Sequence, residues 1–203
     1  MGDVTREELE EIEADITWWL GSMQIDDDDV PDVCELAFKL TRRHVELAPL
    51  GKRTRGRSRP VGSTWQIGTR WDLLGSPTGR QAIGHECGHV FGRLVHKREV
   101  SEAYADAFGV ALCAPRRAVR LALRQFPRDS PTKLGAVLEI EPAAALLRLG
   151  ECTGRPVLLE RRRGVLMHRG EIFEWPPREL WFASDRRIAH PVNVGARVGM
   201  MAG

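Results

Sequence analysis

The sequence predicts an α+β fold, and three patterns predict it. Apolar residues recur at three- and four-residue steps over residues 6–20 and again after Asp29. A stretch of alternating apolar and polar residues, broken by Gly and Pro, lies between His44 and Arg70. Two further helical patterns follow, over about 80–96 and 101–113. At 203 residues the chain can bury a core without disulfide staples.

In the first helix Leu9, Ile12, Ile16, Trp19 and Leu20 share one face among many acids, and Gly21 ends it. Asp29 before Pro31 reads as an N-cap followed by a first-turn proline. The second helix that this opens carries Val33, Leu36, Ala37 and Leu40 on one face. The four aspartates at 26–29 read as capping and solvation, because the spaced oxygens and turn glycine of a calcium loop are missing. From Val45 and Leu47 to residues 63–68 the pattern predicts a small antiparallel sheet. Gly75-Ser76-Pro77-Thr78-Gly79 is a turn leading into the helix over about 80–96. Ser101 then caps a helix that stops before Pro115. An Arg-rich helix (116–126), two short helices (132–139 and 142–149) and a hairpin pairing 157–160 with 165–168 complete the reading. The Pro-, Gly- and Arg-rich end from Glu174 is expected to be partly irregular.

Composition limits what the chain does. Thirty basic against 28 acidic residues give a net charge of +2, too small to imply a nucleic-acid partner. The cysteines at 34, 87, 113 and 152 form no C-x-x-C pair, which fits a reducing cytoplasm. No basic, apolar leader opens the sequence and no apolar run reaches membrane-spanning length, so a cytoplasmic location without membrane contact is expected.

The chemistry is concentrated in His85-Glu86-Cys87-Gly88-His89, an H-E-x-x-H sequence. On a helix its histidines are four residues apart, hence on one face and able to share a zinc ion. Glu86 then serves as the catalytic base that activates the attacking water. Glu102, opening the next helix, is the candidate third metal ligand. Asp106, one turn on, can accept the spare ring N–H of a ligating histidine. His96 is the competing third ligand, since the sequence comes within one residue of a longer three-histidine zinc pattern. On a continuous helix, however, it lies about 10 Å along the axis from His89. Tyr104, two residues from Glu102, faces the other way and reads as packing. Cys87 reads as a small core residue, and His44, His168 and His190 as structural or exposed.

These residues resemble the ImmA/IrrE family of metallopeptidases. The resemblance covers roughly residues 31–150. It is carried by Arg80-Gln81-Ala82-Ile83-Gly84-His85-Glu86-Cys87-Gly88-His89, by Ser101-Glu102-Ala103-Tyr104-Ala105-Asp106-Ala107-Phe108, and by Ala111-Leu112-Cys113-Ala114-Pro115. It implies a compact zincin-like (gluzincin) core, with the small sheet packed on the H-E-x-x-H helix and a second ligand-bearing helix beside it. His85, His89 and Glu102 match the zinc ligands, and Glu86 the catalytic residue. Members of this family often act inside bacteria as regulatory proteases that cut a helix-turn-helix repressor, so the implied partner is a protein substrate of that kind. The residues after Gly150 are too few for the sensor-like domain of the larger members.

The resulting organisation is a zinc peptidase domain over 1–127, a short helical segment over 128–150 that looks faintly like a helix-turn-helix, and an extension over 151–203. A different class of function is motivated by that two-helix segment and by two basic clusters. These are Lys52, Arg53, Arg55, Arg57 and Arg59, and Arg161, Arg162 and Arg163. On that alternative the chain is a zinc-containing, non-catalytic DNA-binding or protein-docking regulator.

Overall fold

The computed structural model of the chain describes residues 4–26, 28–125, 131–153 and four later strand segments at 157–160, 166–169, 179–184 and 191–193. Its architecture is α+β. The chain divides into two compact units, Met1–Ala118 with Leu138–Ile140, and Val119–Val137 with Glu141–Gly203. Among the described residues no helix is long and apolar enough to cross a membrane.

The first unit opens with α1 (Arg6–Ser22), started by a reciprocal cap in which Thr5 and Glu8 bond each other's backbone N–H. Ile12, Ile16, Trp19 and Leu20 form its buried face, as their spacing predicts, and the helix runs one residue beyond Gly21. Helix α2 (Val33–Thr41) begins later than expected. Its N-cap is Asp32, whose carboxylate accepts from the backbone N–H groups of Cys34 and Glu35 at 2.8 and 3.3 Å. Asp29 is therefore not the cap. Pro31 precedes the helix, where its lack of an N–H costs nothing.

Strands β1 (Glu46–Ala48), β2 (Gly56–Val61) and β3 (Thr64–Arg70) form one sheet in the order β1-β3-β2. The antiparallel expectation holds for β2 and β3, which are joined across Gly62-Ser63 with Gly62 at φ 64. It fails for β1, which pairs with β3 in parallel. The chain runs along β1, returns along β2, and then inserts β3 between them, so the two outer strands oppose each other while β1 and β3 agree.

Helix α3 (Pro77–Leu94) starts three residues before the expected point, because Ser76 caps it by accepting from Gly79 N–H and Pro77 takes the first position. It stops at Leu94, two residues short of His96. Helix α4 (Glu102–Cys113) is capped by Ser101, which accepts from Tyr104 N–H at 3.0 Å, and it ends just before Pro115. α3 packs on the sheet with one side and on α4 with another.

The boundary between the units falls within α5 (Arg116–Gln125). In the second unit, α6 (Pro131–Val137) and α7 (Pro142–Thr153) pack together. Ala144, Ala145, Leu146 and Leu149 of α7 are buried, and Arg148, also buried, pairs with Glu151 at 2.9 Å. α7 lies against a four-stranded sheet in the order β5-β4-β6-β7, made of β4 (Val157–Glu160), β5 (Leu166–Arg169), β6 (Glu179–Ser184) and β7 (Pro191–Asn193). β4 and β5 are the expected antiparallel hairpin, shifted by one residue on its second strand. β6 and β7 were not expected. β6 joins β4 in parallel and β7 joins β6 antiparallel. Arg161–Arg163, His190 and Phe126 lie outside the described residues.

Candidate metal centre

The separation of α3 and α4 decides which side chains meet. A Cβ added to Gly84 would stand 2.8 Å from Gly109 O, and one added to Gly109 would stand 2.8 Å from Gly84 C and 2.9 Å from His85 Cα. At Gly88 it would meet Ala105 Cα and Phe108 Cβ at 3.1 Å. Gly84 and Gly88, one turn apart, therefore let α4 approach until backbone touches backbone. Each interior helix glycine costs about 1 kcal/mol in helix propensity, so close approach is what such residues give in return. None of these glycines was singled out from sequence. Their signal is the four-residue spacing of small residues on both helices, Gly84, Gly88 and Gly92 against Ala105 and Gly109.

At that approach Glu102 and Asp106 of α4 reach the two histidines of α3. Glu102 Oε2 is 3.4 Å from His85 Nε2, and its Oε1 is 3.3 Å from His89 Nε2. The two Nε2 atoms are 3.1 Å apart. Four ligands held tetrahedrally at about 2.0–2.1 Å from a zinc ion stand about 3.3–3.4 Å from one another. The two Nε2 atoms stand slightly inside that spacing and each faces a different oxygen of Glu102, so the three side chains converge on one point and could hold one metal ion in common. The histidine side chains are about one-fifth exposed and Glu102 is 73% exposed, so the carboxylate lies on the solvent side.

Asp106 completes the arrangement from behind. Its Oδ1 accepts from His85 Nδ1–H at 2.8 Å, which selects the tautomer with a bare Nε2 turned toward His89 and Glu102. Burial pushes the His85 pKa down. The hydrogen bond to Asp106 and the charges of Asp106, Glu86 and Glu102 outweigh that and raise it above its usual 6.5.

Glu86 is on the buried side of α3, 8% exposed, facing the start of β2. A Cβ on Gly56 would meet Glu86 Cγ at 3.0 Å and Oε1 at 3.3 Å, so the absence of a side chain there lets the strand lie against the carboxylate. β2 is an outer strand. Arg55 O accepts from Arg70 N–H and Val61 pairs with Thr64 across the turn, so odd-numbered residues bond to β3. The backbone groups of Gly56, Ser58 and Pro60 point to the other edge. Pro60, which has no N–H, falls in the register that requires none.

The remaining candidates lie elsewhere. His96 is off the helix and hydrogen-bonds Asp15 through Nε2 at 2.8 Å, not the histidine pair. Tyr104 is buried against Phe108, its hydroxyl donates to Asp15, and burial with the nearby Asp15 charge holds its pKa well above the ordinary value. His44 stacks on Phe38. Cys87 is fully buried and burial raises its thiol pKa well above the usual value, the property of an inert core residue. In the acidic run, Asp26 accepts from Asp28 N–H, and Asp28 pairs with Arg117. In the first basic cluster, Arg57 and Arg59 share Glu46 at 3.2 and 3.3 Å. No protein-family model matches the sequence, and no curated protein matches it.

Proposed function

We propose that this protein is a zinc-dependent endopeptidase with a zincin-like (gluzincin) core, in which His85, His89 and Glu102 bind the metal and Glu86 is the catalytic base. The observation that carries the reading is the convergence of His85, His89 and Glu102, whose ligand atoms lie within 4.8 Å of one another, with Asp106 bonded behind His85. Zinc bound there supplies Lewis acidity, polarising a carbonyl and making water a stronger acid. The chain's own residues do the rest. Asp106 fixes the ring of His85 in the ligating tautomer. Glu86 takes a proton from the attacking water and returns it to the leaving amine nitrogen.

The edge of β2, which no strand covers among the described residues, favours a polypeptide over a small molecule as substrate. Gly56 and Ser58 turn N–H and C=O groups outward beside Glu86, and an extended peptide can add to them as a further strand. The resemblance of both helices to the ImmA/IrrE family points to a cytoplasmic helix-turn-helix repressor as the protein cut. Chelator-stripped protein is expected to leave an unfolded polypeptide such as casein, or a repressor encoded beside its gene, intact, and one equivalent of zinc to restore cleavage. Cleavage indifferent to chelation would remove the zinc reading. Zinc binding without cleavage of either substrate would favour a non-catalytic regulator.

Asp106→Asn tests the supporting role separately. Its zinc affinity, read by competition with a chromogenic chelator, is expected to fall about ten- to hundredfold. An unchanged affinity would show that the His85 tautomer needs no such partner.

A further inference from the structure

The seven residues 95–101 join α3 to α4, and so connect the helix carrying His85 and His89 to the one that begins at Glu102. Glu102 is the first residue of α4 and its side chain is 73% exposed. Packing around its own side chain therefore does little to hold it, and its position depends on how this connection and the first turn of α4 are fixed. The connection includes Lys97 at φ 56, a left-handed conformation that a lysine adopts only where its surroundings impose it.

The turn itself is closed locally, by Arg98 N–H donating to Gly92 O at 3.1 Å and Lys97 Nζ to Leu94 O at 2.6 Å, and α1 adds side-chain bonds on either side of it. Asp15 Oδ2 accepts from His96 Nε2–H at 2.8 Å and from the Tyr104 hydroxyl at 3.2 Å. One carboxylate oxygen thus holds a residue just past the end of α3 and another in the first turn of α4. One turn earlier on α1, Glu11 Oε1 accepts from Arg98 at 2.5 Å, and the Arg98 guanidinium lies 5.7 Å from the centre of the Tyr104 ring. The Asp15 side chain is 16% exposed, so its charge-assisted bonds are stronger than those of a surface pair. We propose that Asp15 is a positioning residue, whose clamp on His96 and Tyr104 fixes the α3–α4 connection and so the place of Glu102 opposite His85 and His89.

The inference rests on the reading of those three residues as the zinc site. Glu11, Asp15 and His96 themselves offer three atoms of metal-ligating type within 4.8 Å of one another. Their geometry argues for a hydrogen-bonded clamp. The His96–Asp15 distance of 2.8 Å is that of a hydrogen bond and shorter than the edge of a zinc tetrahedron, while His96 to Glu11 is 3.8 Å. Tyr104 O–H and the Arg98 guanidinium donate to the same two carboxylates, using lone pairs that a cation would need.

The test is the zinc dissociation constant and stoichiometry of the full chain, measured by chelator competition for wild type, Asp15→Ala, Tyr104→Phe and Ile12→Val. Asp15→Ala is expected to weaken zinc about tenfold, the low end of what losing an outer-shell partner does. Tyr104→Phe, which removes only one hydroxyl, is expected to weaken it in the same direction, and it carries the test if Asp15→Ala does not fold. Ile12→Val loosens the buried face of α1 without touching the clamp and is expected to leave the affinity at the wild-type value, separating positioning from general stability. A cobalt-substituted Asp15→Ala protein is expected to show an altered visible absorption, reporting a displaced carboxylate. Wild-type affinity in both clamp variants would overturn the proposal while leaving the zinc site standing. So would a second zinc per chain that disappears in His96→Ala. Wild-type protein that binds no zinc would end both readings.

Discussion

Glu86→Gln is expected to bind one zinc per chain and to cleave about a hundred- to ten-thousandfold more slowly than wild type, the range over which a positioned general base contributes. Glutamine is the informative replacement because Glu86 is only 8% exposed and lies against the backbone of Gly56. It keeps the volume and removes the basicity. Glu86→Ala removes both and is expected to lose cleavage as fully, at some added cost in stability from the space it leaves. The metal should remain, since the three proposed ligand atoms belong to His85, His89 and Glu102. Zinc affinity and rate therefore separate in this variant, as they do not in His85→Ala. Cleavage by Glu86→Gln at the wild-type rate would falsify the assignment of the base.

The second large effect is expected at a backbone contact between α3 and α4 in which no polar side chain takes part. Gly109→Ala places a Cβ 2.8 Å from Gly84 C, 2.9 Å from His85 Cα and closer still to His85 N, all of them backbone atoms that cannot swing aside. α4 must move away from α3. Overpacking of this kind costs about 1–3 kcal/mol, occasionally more. The intrinsic helix preference of alanine offsets about 1 kcal/mol of that. Net destabilisation should appear as a lower urea midpoint. Zinc affinity should fall with it, because a helix displaced at Gly109 carries Asp106 and Glu102 away from the histidines. Gly21→Ala is the matched control: nothing lies within 4 Å of its new Cβ, and the same propensity gain should make it neutral or stabilising. A Gly109→Ala protein that melts like wild type and keeps its metal would mean that the helix contact does not set the site.

Much of the site was legible because its information is local. His85 and His89 stand one helical turn apart, as do Glu102 and Asp106, and a four-residue spacing can be read without knowing what the helix packs against. Ser101 and Pro115 bracket α4 for the same reason. What the sequence did not disclose depends on partners distant along the chain. Asp15 meets His96 and Tyr104 across 81 and 89 residues, and nothing in the pattern of α1 marks that acid among its neighbours. Gly56 looks like one glycine in a basic loop until β2 is laid against α3. The parallel entry of β1 follows from which strand is inserted last, an order that alternation does not encode. At α2 the cap is Asp32 and not the expected Asp29, because the Asp32 carboxylate reaches two free N–H groups. β6 escaped notice because Leu180-Trp181-Phe182 is a short apolar run in a Pro- and Arg-rich setting.

The outer edge of β2 also bears on whether two copies can pair edge to edge. An outer strand with free backbone groups invites the sheet of another molecule, and long ladders of that kind are the seeds of aggregation. Here the ladder is short. Gly56 and Ser58 present both N–H and C=O, but Pro60 presents only a carbonyl, and the exposed Arg59 beside it sets like charge against like when two copies meet edge to edge. On the proposed reading, two residues of complete pairing would align a peptide passing Glu86 and would hold its fragments only weakly. The same proline would then limit both edge-to-edge pairing of two copies and the retention of cleaved fragments.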